Sequence, residues 1–325
     1  YNTALGFNAM FFNTSGTNNT ATGSIALQNN TTSSNNTANG YAALYSNNGG
    51  NENTAIGTSS LYANILGSHN TATGFGSLNK NTADDNTANG AYALYENTTG
   101  SNNTGVGYEA LYKNTTGSYN TATGLGALTF NTSGSSNTAH GYKSLYSNTT
   151  GVNNTATGVT ALYNNTIGTG NTATGLEALF FNTEGNNNTA TGLDALLSNT
   201  SGSGNTASGS AALLGNLQGN SNTANGNNAL YTNSQGSYNT AVGANALYSA
   251  NVVNNTAIGY AALYRNASGN DNTGVGYYAL NGVTGTQNTA IGSKAMQSAY
   301  FYGVGSGNVA AGYQSLKINL GGNYN

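Results

Sequence analysis

The sequence predicts an all-β fold, a parallel β-solenoid or β-roll of about nineteen 17-residue coils. Three observations predict it: one short motif recurs along all 325 residues, the motif returns almost always after 17 residues, and glycine holds fixed places within each unit. A regular period of this kind is the signature of stacked repeat architectures. The helix pairs of α-solenoids need about 33 residues or more, so the unit is too short for them.

The recurring motif is Asn-Thr-Ala-x-Gly, and we number the positions of the unit from its Asn. Position 1 is Asn and position 5 is Gly in all nineteen copies, position 8 is Ala or Ser, and position 9 is Leu or Met. The spacing departs from 17 residues four times, and every change falls after position 11. The first half of the unit is therefore a fixed structural element, and the second half is a tolerant loop. The copies begin at Asn2, Asn19, Asn36, Asn53, Asn70, Asn86, Asn103, Asn120, Asn137, Asn154, Asn171, Asn188, Asn205, Asn222, Asn239, Asn255, Asn272, Asn288 and Asn308.

The repeat divides the chain into a regular part and a divergent end that belong to one solenoid. Residues 1–296 form the regular 17-residue array. Residues 297–325 form a divergent last coil with an aromatic insertion around Tyr300–Gly303.

Within each coil we expect two extended segments, at positions 2–4 and 8–10. Gly at positions 5 and 15 would interrupt a helix and gives the backbone freedom that corners require. Stacking at about 4.8 Å per coil would pair each segment with its copies above and below, and nineteen coils would make a rod of roughly 90 Å.

The alternation of side chains along a strand predicts which positions face the core. The Leu at position 9 should fill the core, with the small Ala of position 3 opposite it. All fifteen charged residues lie at positions 7, 10, 11 and 14–17, away from this predicted core. The predicted core ladder comprises Leu27, Leu44, Leu94, Leu111, Leu128, Leu162 and Leu179.

Asn recurs at positions 1 and 12, and Thr recurs at position 2. In-register amides can bond from coil to coil, or to the turn backbone, because an amide both donates and accepts. We expect these columns to be structural ladders and not ligand sites, with the Thr column forming a similar ladder. The predicted members include Asn19, Thr20, Asn36, Thr37, Asn103, Thr104, Asn154 and Thr155.

A column of Tyr at position 10 stands beside the small residue of position 8. If position 9 points inward, positions 8 and 10 should point outward, and a small residue beside Tyr would suit lateral packing of two or three solenoids. The alternative is that position 8 lies in a tight corner and the Tyr rings stack on each other. The candidate self-association face comprises Tyr45, Tyr62, Tyr95, Tyr112, Tyr146, Tyr163, Tyr231 and Tyr248.

Composition excludes several classes of function. Six Lys and Arg residues against nine Asp and Glu give a net charge of −3, which cannot make a nucleic-acid interface. The absence of Cys excludes disulfide frameworks and Cys-based zinc sites. No run approaches the ~20 apolar residues of a membrane span. With only two His and no recurrent catalytic grouping, we expect neither an enzyme nor a cofactor.

The blocks Asn-Thr-Ala-Ile-Gly at 53–57 and Asn-Thr-Ala-Val-Gly at 239–243 resemble the head repeats of trimeric autotransporter adhesins and the arrays of some tail-fibre-like proteins. The resemblance covers nearly the whole chain, although the family unit is shorter. It implies left-handed parallel β-rolls that pack as trimers at the cell surface. We therefore expect an extracellular structural subunit that binds itself, as a lateral trimer or a head-to-tail filament, with a host or surface ligand as a further partner. Head-to-tail stacking is expected because Tyr1 and Tyr324 both precede a position-1 Asn, although a cut through a longer array would give the same ends.

Two other functions remain open. The Thr-Ala-Thr triplets, such as 172–174 and 189–191, resemble the Thr-x-Thr rows of ice-binding solenoids, although other residues interrupt the second row. The fibre could also be a tail-fibre-like shaft that binds a receptor. Calcium-binding β-roll repeats are not expected, because they need an Asp in each coil.

Overall fold

A computed structural model describes residues 1–249, 251–266, 268–297 and 305–317. The chain divides into two compact units, Tyr1–Ile167 and Gly168–Asn325. Each described coil has one three-residue strand, always at positions 2–4, and the rest of the described backbone forms turns, bends and irregular segments without a helix. Consecutive strands within each unit pair in parallel, which confirms the β-solenoid and the first of the two predicted segments.

The first unit contains strands β1 to β10. They are β1 (Thr3–Leu5), β2 (Thr20–Thr22), β3 (Thr37–Asn39), β4 (Thr54–Ile56), β5 (Thr71–Thr73), β6 (Thr87–Asn89), β7 (Thr104–Val106), β8 (Thr121–Thr123), β9 (Thr138–His140) and β10 (Thr155–Thr157). Their register joins like to like, as in the pairing of Ala21 with Ala38, because a constant period brings the same position to the same height in each coil.

The second unit contains strands β11 to β19. They are β11 (Thr172–Thr174), β12 (Thr189–Thr191), β13 (Thr206–Ser208), β14 (Thr223–Asn225), β15 (Thr240–Val242), β16 (Thr256–Ile258), β17 (Thr273–Val275), β18 (Thr289–Ile291) and β19 (Val309–Ala311). β19 pairs with β18, so the divergent last copy still forms the strand of a coil. The aromatic insertion predicted around Tyr300–Gly303 lies outside the described residues.

The predicted second strand at positions 8–10 is wrong. Positions 7 and 9 adopt left-handed backbone in every described coil, with φ between 47° and 59° at all non-glycine residues. The coil-to-coil hydrogen bonds nevertheless continue there: the Leu27 N–H donates to the Ala43 carbonyl at 2.9 Å, and the Lys143 N–H donates to the Leu125 carbonyl at 2.9 Å. This half of the coil is thus a ladder of turns, because residues with positive φ break the extended geometry that a strand requires.

The change of backbone handedness also overturns the predicted direction of position 8. Ala127 at position 8 and Leu128 at position 9 are both completely buried. Position 8 is therefore small because it lies inside a tight corner, and it offers no outward surface to a neighbouring solenoid. The corner begins at position 5, where a Cβ on Gly124 would lie 2.4 Å from the Gly141 carbonyl oxygen of the next coil.

The core is the thin layer that the sequence predicts, with Leu packed against Ala. Position 3 is buried in β2 to β19. A Cβ built on Gly105, which replaces Ala there, would lie 3.4 Å from the Leu94 Cγ, so positions 3 and 9 face each other. All the predicted core residues are fully buried: Leu27, Leu44, Leu94, Leu111, Leu128, Leu162 and Leu179.

Candidate interaction face

The Asn column at position 1 is a structural ladder that joins side chains to the backbone. The Oδ1 atom of Asn19 accepts a hydrogen bond from the Asn36 N–H at 2.9 Å, and its Nδ2 donates to the Ser33 carbonyl at 2.8 Å. In the same way, the Oδ1 atom of Asn103 accepts a hydrogen bond from the Asn120 N–H at 3.0 Å. These amides are buried and occupied, so they present no ligand site. The remaining predicted member, Asn154, donates its N–H to the Asn137 Oδ1 at 3.0 Å.

The Asn column at position 12 bonds side chain to side chain. The Nδ2 of Asn114 donates to the Asn97 Oδ1 at 2.7 Å and to the Gly117 carbonyl at 2.9 Å. That carbonyl also accepts from Asn103 at 2.9 Å, so the two columns converge on position 15. Asn97 begins an Asn-Thr-Thr acceptor triplet for glycosylation, but its amide is buried and engaged in the folded chain.

The predicted Thr ladder at position 2 is wrong at the level of side chains. In the described part of the chain, the hydroxyls of Thr20, Thr37, Thr104 and Thr155 make no hydrogen bonds to other residues, and these side chains lie on the outer face. Their strands pair only through the backbone.

The Thr hydroxyls that do bond between coils lie at position 13. Thr98 Oγ1 donates to the Thr115 carbonyl and Thr115 Oγ1 to the Thr132 carbonyl, both at 2.9 Å. The frequent Thr directly after the position-12 Asn was the sequence signal for this ladder.

The Tyr column at position 10 forms stacked pairs, as the alternative interpretation predicted. Most of these rings are half-buried, and their faces cover each other within the column. The closest predicted pairs are Tyr45 with Tyr62 at 5.1 Å, Tyr95 with Tyr112 at 5.4 Å, Tyr146 with Tyr163 at 5.0 Å, and Tyr231 with Tyr248 at 4.9 Å.

The most exposed apolar column lies at position 6, which the sequence reasoning missed. Large apolar side chains there are 45% to 74% exposed, far more than any in the core. Their recurrence directly after the invariant Gly was a visible signal. In the first unit they are Phe7, Tyr41, Phe75, Tyr108, Leu125, Tyr142 and Val159, and in the second they include Leu176, Leu193, Tyr260 and Tyr277.

Positions 2, 4 and 6 together form what we term the outer face. Positions 2 and 4 flank the buried Ala of each strand, and position 4 adds exposed Ile56 in the first unit and Ile258 and Ile291 in the second. The face contains no Lys, Arg, Asp or Glu, because the fifteen charged residues occupy other positions, and it includes exposed His140. Exposed apolar patches of this kind mark interaction surfaces in many proteins.

Charged side chains at positions 7 and 11 lie beside the aromatic rings of the neighbouring positions. The Lys143 Nζ lies 5.3 Å from the ring centre of Tyr142 and 5.1 Å from that of Tyr146. A hydrogen bond between Lys143 and Tyr142 raises the pKa of the lysine. At the same position of another coil, a hydrogen bond with Glu109 and its negative charge raise the pKa of Tyr108.

The described residues show no cluster of the kind that binds a metal ion. Exposed His69 lies 3.6 Å from the Glu52 carboxylate and 3.4 Å from that of Asp85, and no group of three metal-binding side chains was found in the described ranges. Nor does that part of the chain contain a helix long and apolar enough to cross a membrane. Compared with known protein families and with curated proteins, the sequence matches none.

Proposed function

We propose that this chain is a non-enzymatic structural protein whose outer face packs against further copies of the same chain. The observation that carries the proposal is the exposed apolar column at position 6. The fold does not require it, because the core is already closed by Leu and Ala. Leu125 and Tyr142 illustrate the contrast: both are nearly half exposed, while Leu128 and Leu145, only three positions further along each coil, are fully buried.

A second copy is the occupant that the outer face fits best. Ten coils at about 4.8 Å make a strip about 45 Å long in the first unit, and positions 2 to 6 span about 15 Å. The resulting area of on the order of 700 Å² approaches the ~800 Å² per partner of a stable interface. Large apolar residues hold position 6 in seven of the ten coils of the first unit, so the column matches another copy of itself at several points.

The charges at the rim favour the same occupant. Position 7 carries Glu109 and Lys143 in the first unit, and Glu177 and Lys294 in the second. A partner with the same mixed row would find opposite charges to pair with, whereas a uniformly charged partner would not.

The form and location of the assembly belong to the proposal as well. The resemblance to adhesin heads favours a lateral trimer at the cell surface, and a longer filament or a receptor-binding shaft would use the same face. Electron microscopy of the purified chain separates these forms: discrete particles of uniform length indicate a trimer, and long fibrils indicate a filament. Antibody labelling of intact producing cells tests the extracellular location.

The test of self-association uses charge placed on two faces of the first unit. Leu125→Lys with Tyr142→Lys puts two charges into the outer face, and Thr116→Lys with Ser133→Lys puts the same charges on exposed loop positions. In sedimentation velocity, we expect wild type and the loop variant to form oligomers and the outer-face variant to remain monomeric. A wild-type chain that is monomeric at every accessible concentration refutes the proposal, and so does an outer-face variant that assembles normally.

Ice binding is a second candidate because β10, β11 and β12 each carry two exposed Thr side chains that flank the buried Ala. Thr172, Thr174, Thr189 and Thr191 are all exposed in adjacent coils of the second unit. The two rows lie about 6.6 Å apart along the strand and repeat about every 4.8 Å between coils.

Thermal hysteresis decides this candidate. If the face binds ice, Thr189→Leu with Thr191→Leu should reduce the freezing-point depression of the purified chain, while the loop change Ser201→Leu should not. A chain without hysteresis rules out ice binding and leaves self-association unaffected.

A further inference from the structure

An open groove of about 310 Å³ lies in the first unit between the columns at positions 6 and 10. Four tyrosines and one carboxylate line it: Tyr92, Tyr95, Tyr108, Tyr112 and Glu109. Its size is at the lower end of the range of small-molecule sites.

The rings of the groove face different directions, as the walls of a cage do. The Tyr92 ring stands edge to face with Tyr108 at 6.2 Å and 88°, and with Tyr112 at 6.3 Å and 73°. Tyr95 and Tyr112 stack at 5.4 Å and form another wall. Glu109 is half-buried among them. The faces of aromatic rings carry partial negative charge, so the rings and the carboxylate attract the same kind of ligand.

Elsewhere in the chain, a pair of Tyr rings at the same two positions already holds a cation. Two repeats further along the chain, Lys143 holds position 7 between Tyr142 at position 6 and Tyr146 at position 10, with its ammonium 5.3 and 5.1 Å from the two ring centres. In the groove, Tyr108 and Tyr112 take the same two positions, but Glu109 replaces the lysine. The aromatic pair is therefore repeated without its built-in cation, and a negative charge stands in its place.

No cation of the described residues lies within 4.0 Å of the Glu109 carboxylate. In the described residues, the ion pairs within 4.0 Å join Lys80 to Glu96 and His69 to Glu52 and Asp85, and none includes Glu109. The nearby Lys80 is already paired and lies over the Tyr95 ring at 5.6 Å. Glu109 thus lies in an aromatic setting with a hydrogen bond from the Tyr108 hydroxyl but without an ion pair among the described residues.

We propose that this groove binds a small organic cation of the trimethylammonium class, such as choline, with its cationic head against the Tyr rings and the Glu109 carboxylate. Aromatic surroundings with one carboxylate suit a weakly hydrated methylated ammonium. Calcium and magnesium need six or more oxygen ligands in a defined shell, which one carboxylate and phenols do not supply. The site does not depend on self-association, because all its walls belong to one chain.

The binding test is an NMR titration of the tyrosine-labelled wild-type chain with choline chloride at constant ionic strength. We expect saturable shifts with a Kd of about 1 to 10 mM, as fits a single cation on an open aromatic surface. The neutral isostere 3,3-dimethylbutan-1-ol should not give saturable shifts, because it has the same shape without the charge. Linear choline shifts, or equal binding of the isostere, overturn the proposal.

Variants at position 7 separate a specific site from general surface charge. Glu109→Gln should weaken choline binding about fivefold or more, and Glu109→Lys should abolish it because the new ammonium takes the place that Lys143 takes in its own coil. The matched control is Asp194→Asn, which removes the same charge at the same position beside Leu193 and Leu197. Unchanged binding in Glu109→Gln, or an equal loss in Asp194→Asn, contradicts the proposal.

A free metabolite and a lipid headgroup would present the same cation. Co-sedimentation with phosphatidylcholine vesicles distinguishes them: binding of choline alone indicates a soluble ligand, and Glu109-dependent binding to vesicles indicates a headgroup. Tyr108 also belongs to the outer face, so the choline titration is run at a concentration at which sedimentation shows the wild-type chain to be monomeric. Either proposal can then fail while the other stands.

Discussion

The two halves of each coil solve the same stacking problem with different backbones. At positions 2–4 the chain is extended, and side chains alternate between the outer face and the core, as the burial of Ala122 between the less buried Thr121 and Thr123 shows. At positions 7–9 the backbone changes handedness twice, and the neighbours Ala127 and Leu128 are both fully buried. Both halves keep hydrogen bonds from coil to coil. Alternation therefore predicts side-chain direction only where φ keeps its sign.

The left-handed half of the coil is stabilised by the burial of its Leu and by its backbone hydrogen bonds. A non-glycine residue in this conformation costs roughly 1–2 kcal/mol, and each coil contains at least two left-handed residues. Burial of one Leu stabilises by about 1.5–3 kcal/mol. The turn backbone also makes hydrogen bonds both to the adjacent coils and within its own coil. The strand half needs no such compensation.

The largest expected effect comes from placing charge in the left-handed half. Leu111→Asp buries a carboxylate without a partner, so the free energy of unfolding of the first unit should fall by about 5 kcal/mol or more. The matched change Leu125→Asp lies on the outer face and should cost less than about 1 kcal/mol. Urea denaturation followed by circular dichroism measures both, and a folded, stable Leu111→Asp chain would remove position 9 from the core.

A smaller effect is expected at the corner that joins the halves. Gly124→Ala should destabilise by about 3 kcal/mol, because φ is 137° and the new Cβ would meet the Gly141 carbonyl oxygen at 2.4 Å. Gly126→Ala is the control: φ is 67°, and its nearest new neighbour is the flexible Lys143 side chain at 3.2 Å. Equal urea midpoints for the two variants would show that the close approach of coils at position 5 is not as described.

The smallest expected effect is a change in stability whose sign differs between the two halves of the coil. Glu177→Gly should stabilise by about 0.5–1 kcal/mol, because glycine relieves the left-handed backbone at φ 57°. Thr172→Gly, in the strand β11, should destabilise by a similar amount since it adds only freedom to the unfolded chain. Thermal melts of both variants check this. Destabilisation by Glu177→Gly would mean that position 7 is not left-handed in solution.

The sequence carried the period, the strand and the core, because these depend on residue type and spacing alone. Position 9, as at Leu111, is the one position that holds a large apolar residue in each unit. Position 1, as at Asn120, is Asn in each unit and is therefore too constant to lie in a variable loop. The direction of Ala127 could not be predicted, because Leu is not a residue that favours positive φ and glycine stands at position 7 in just two coils, at Gly76 and Gly126.

The same limit explains why the predicted self-association face at position 10 differs from the exposed apolar column at position 6. With position 8 predicted to point outward, the pattern predicts Tyr112 on the docking surface and does not single out Tyr108. In the structure Tyr112 stacks on Tyr95, and Tyr108 is 47% exposed. The groove around Glu109 depends on bringing positions 6, 7 and 10 of adjacent coils together, which only the left-handed backbone does.

The inward direction of position 8 is the central claim about this coil, and thiol reactivity tests it most directly. The chain has no Cys, so Ser144→Cys at position 8 and Ser133→Cys in an exposed loop each introduce a single reporter of similar size. Ser144 is fully buried, with its hydroxyl bonded to the Gly141 carbonyl at 3.2 Å. We predict that a maleimide labels Ser133→Cys rapidly and labels Ser144→Cys at least about 100-fold more slowly until urea unfolds the chain. Equal labelling rates in the folded state would contradict the account and return position 8 to the surface.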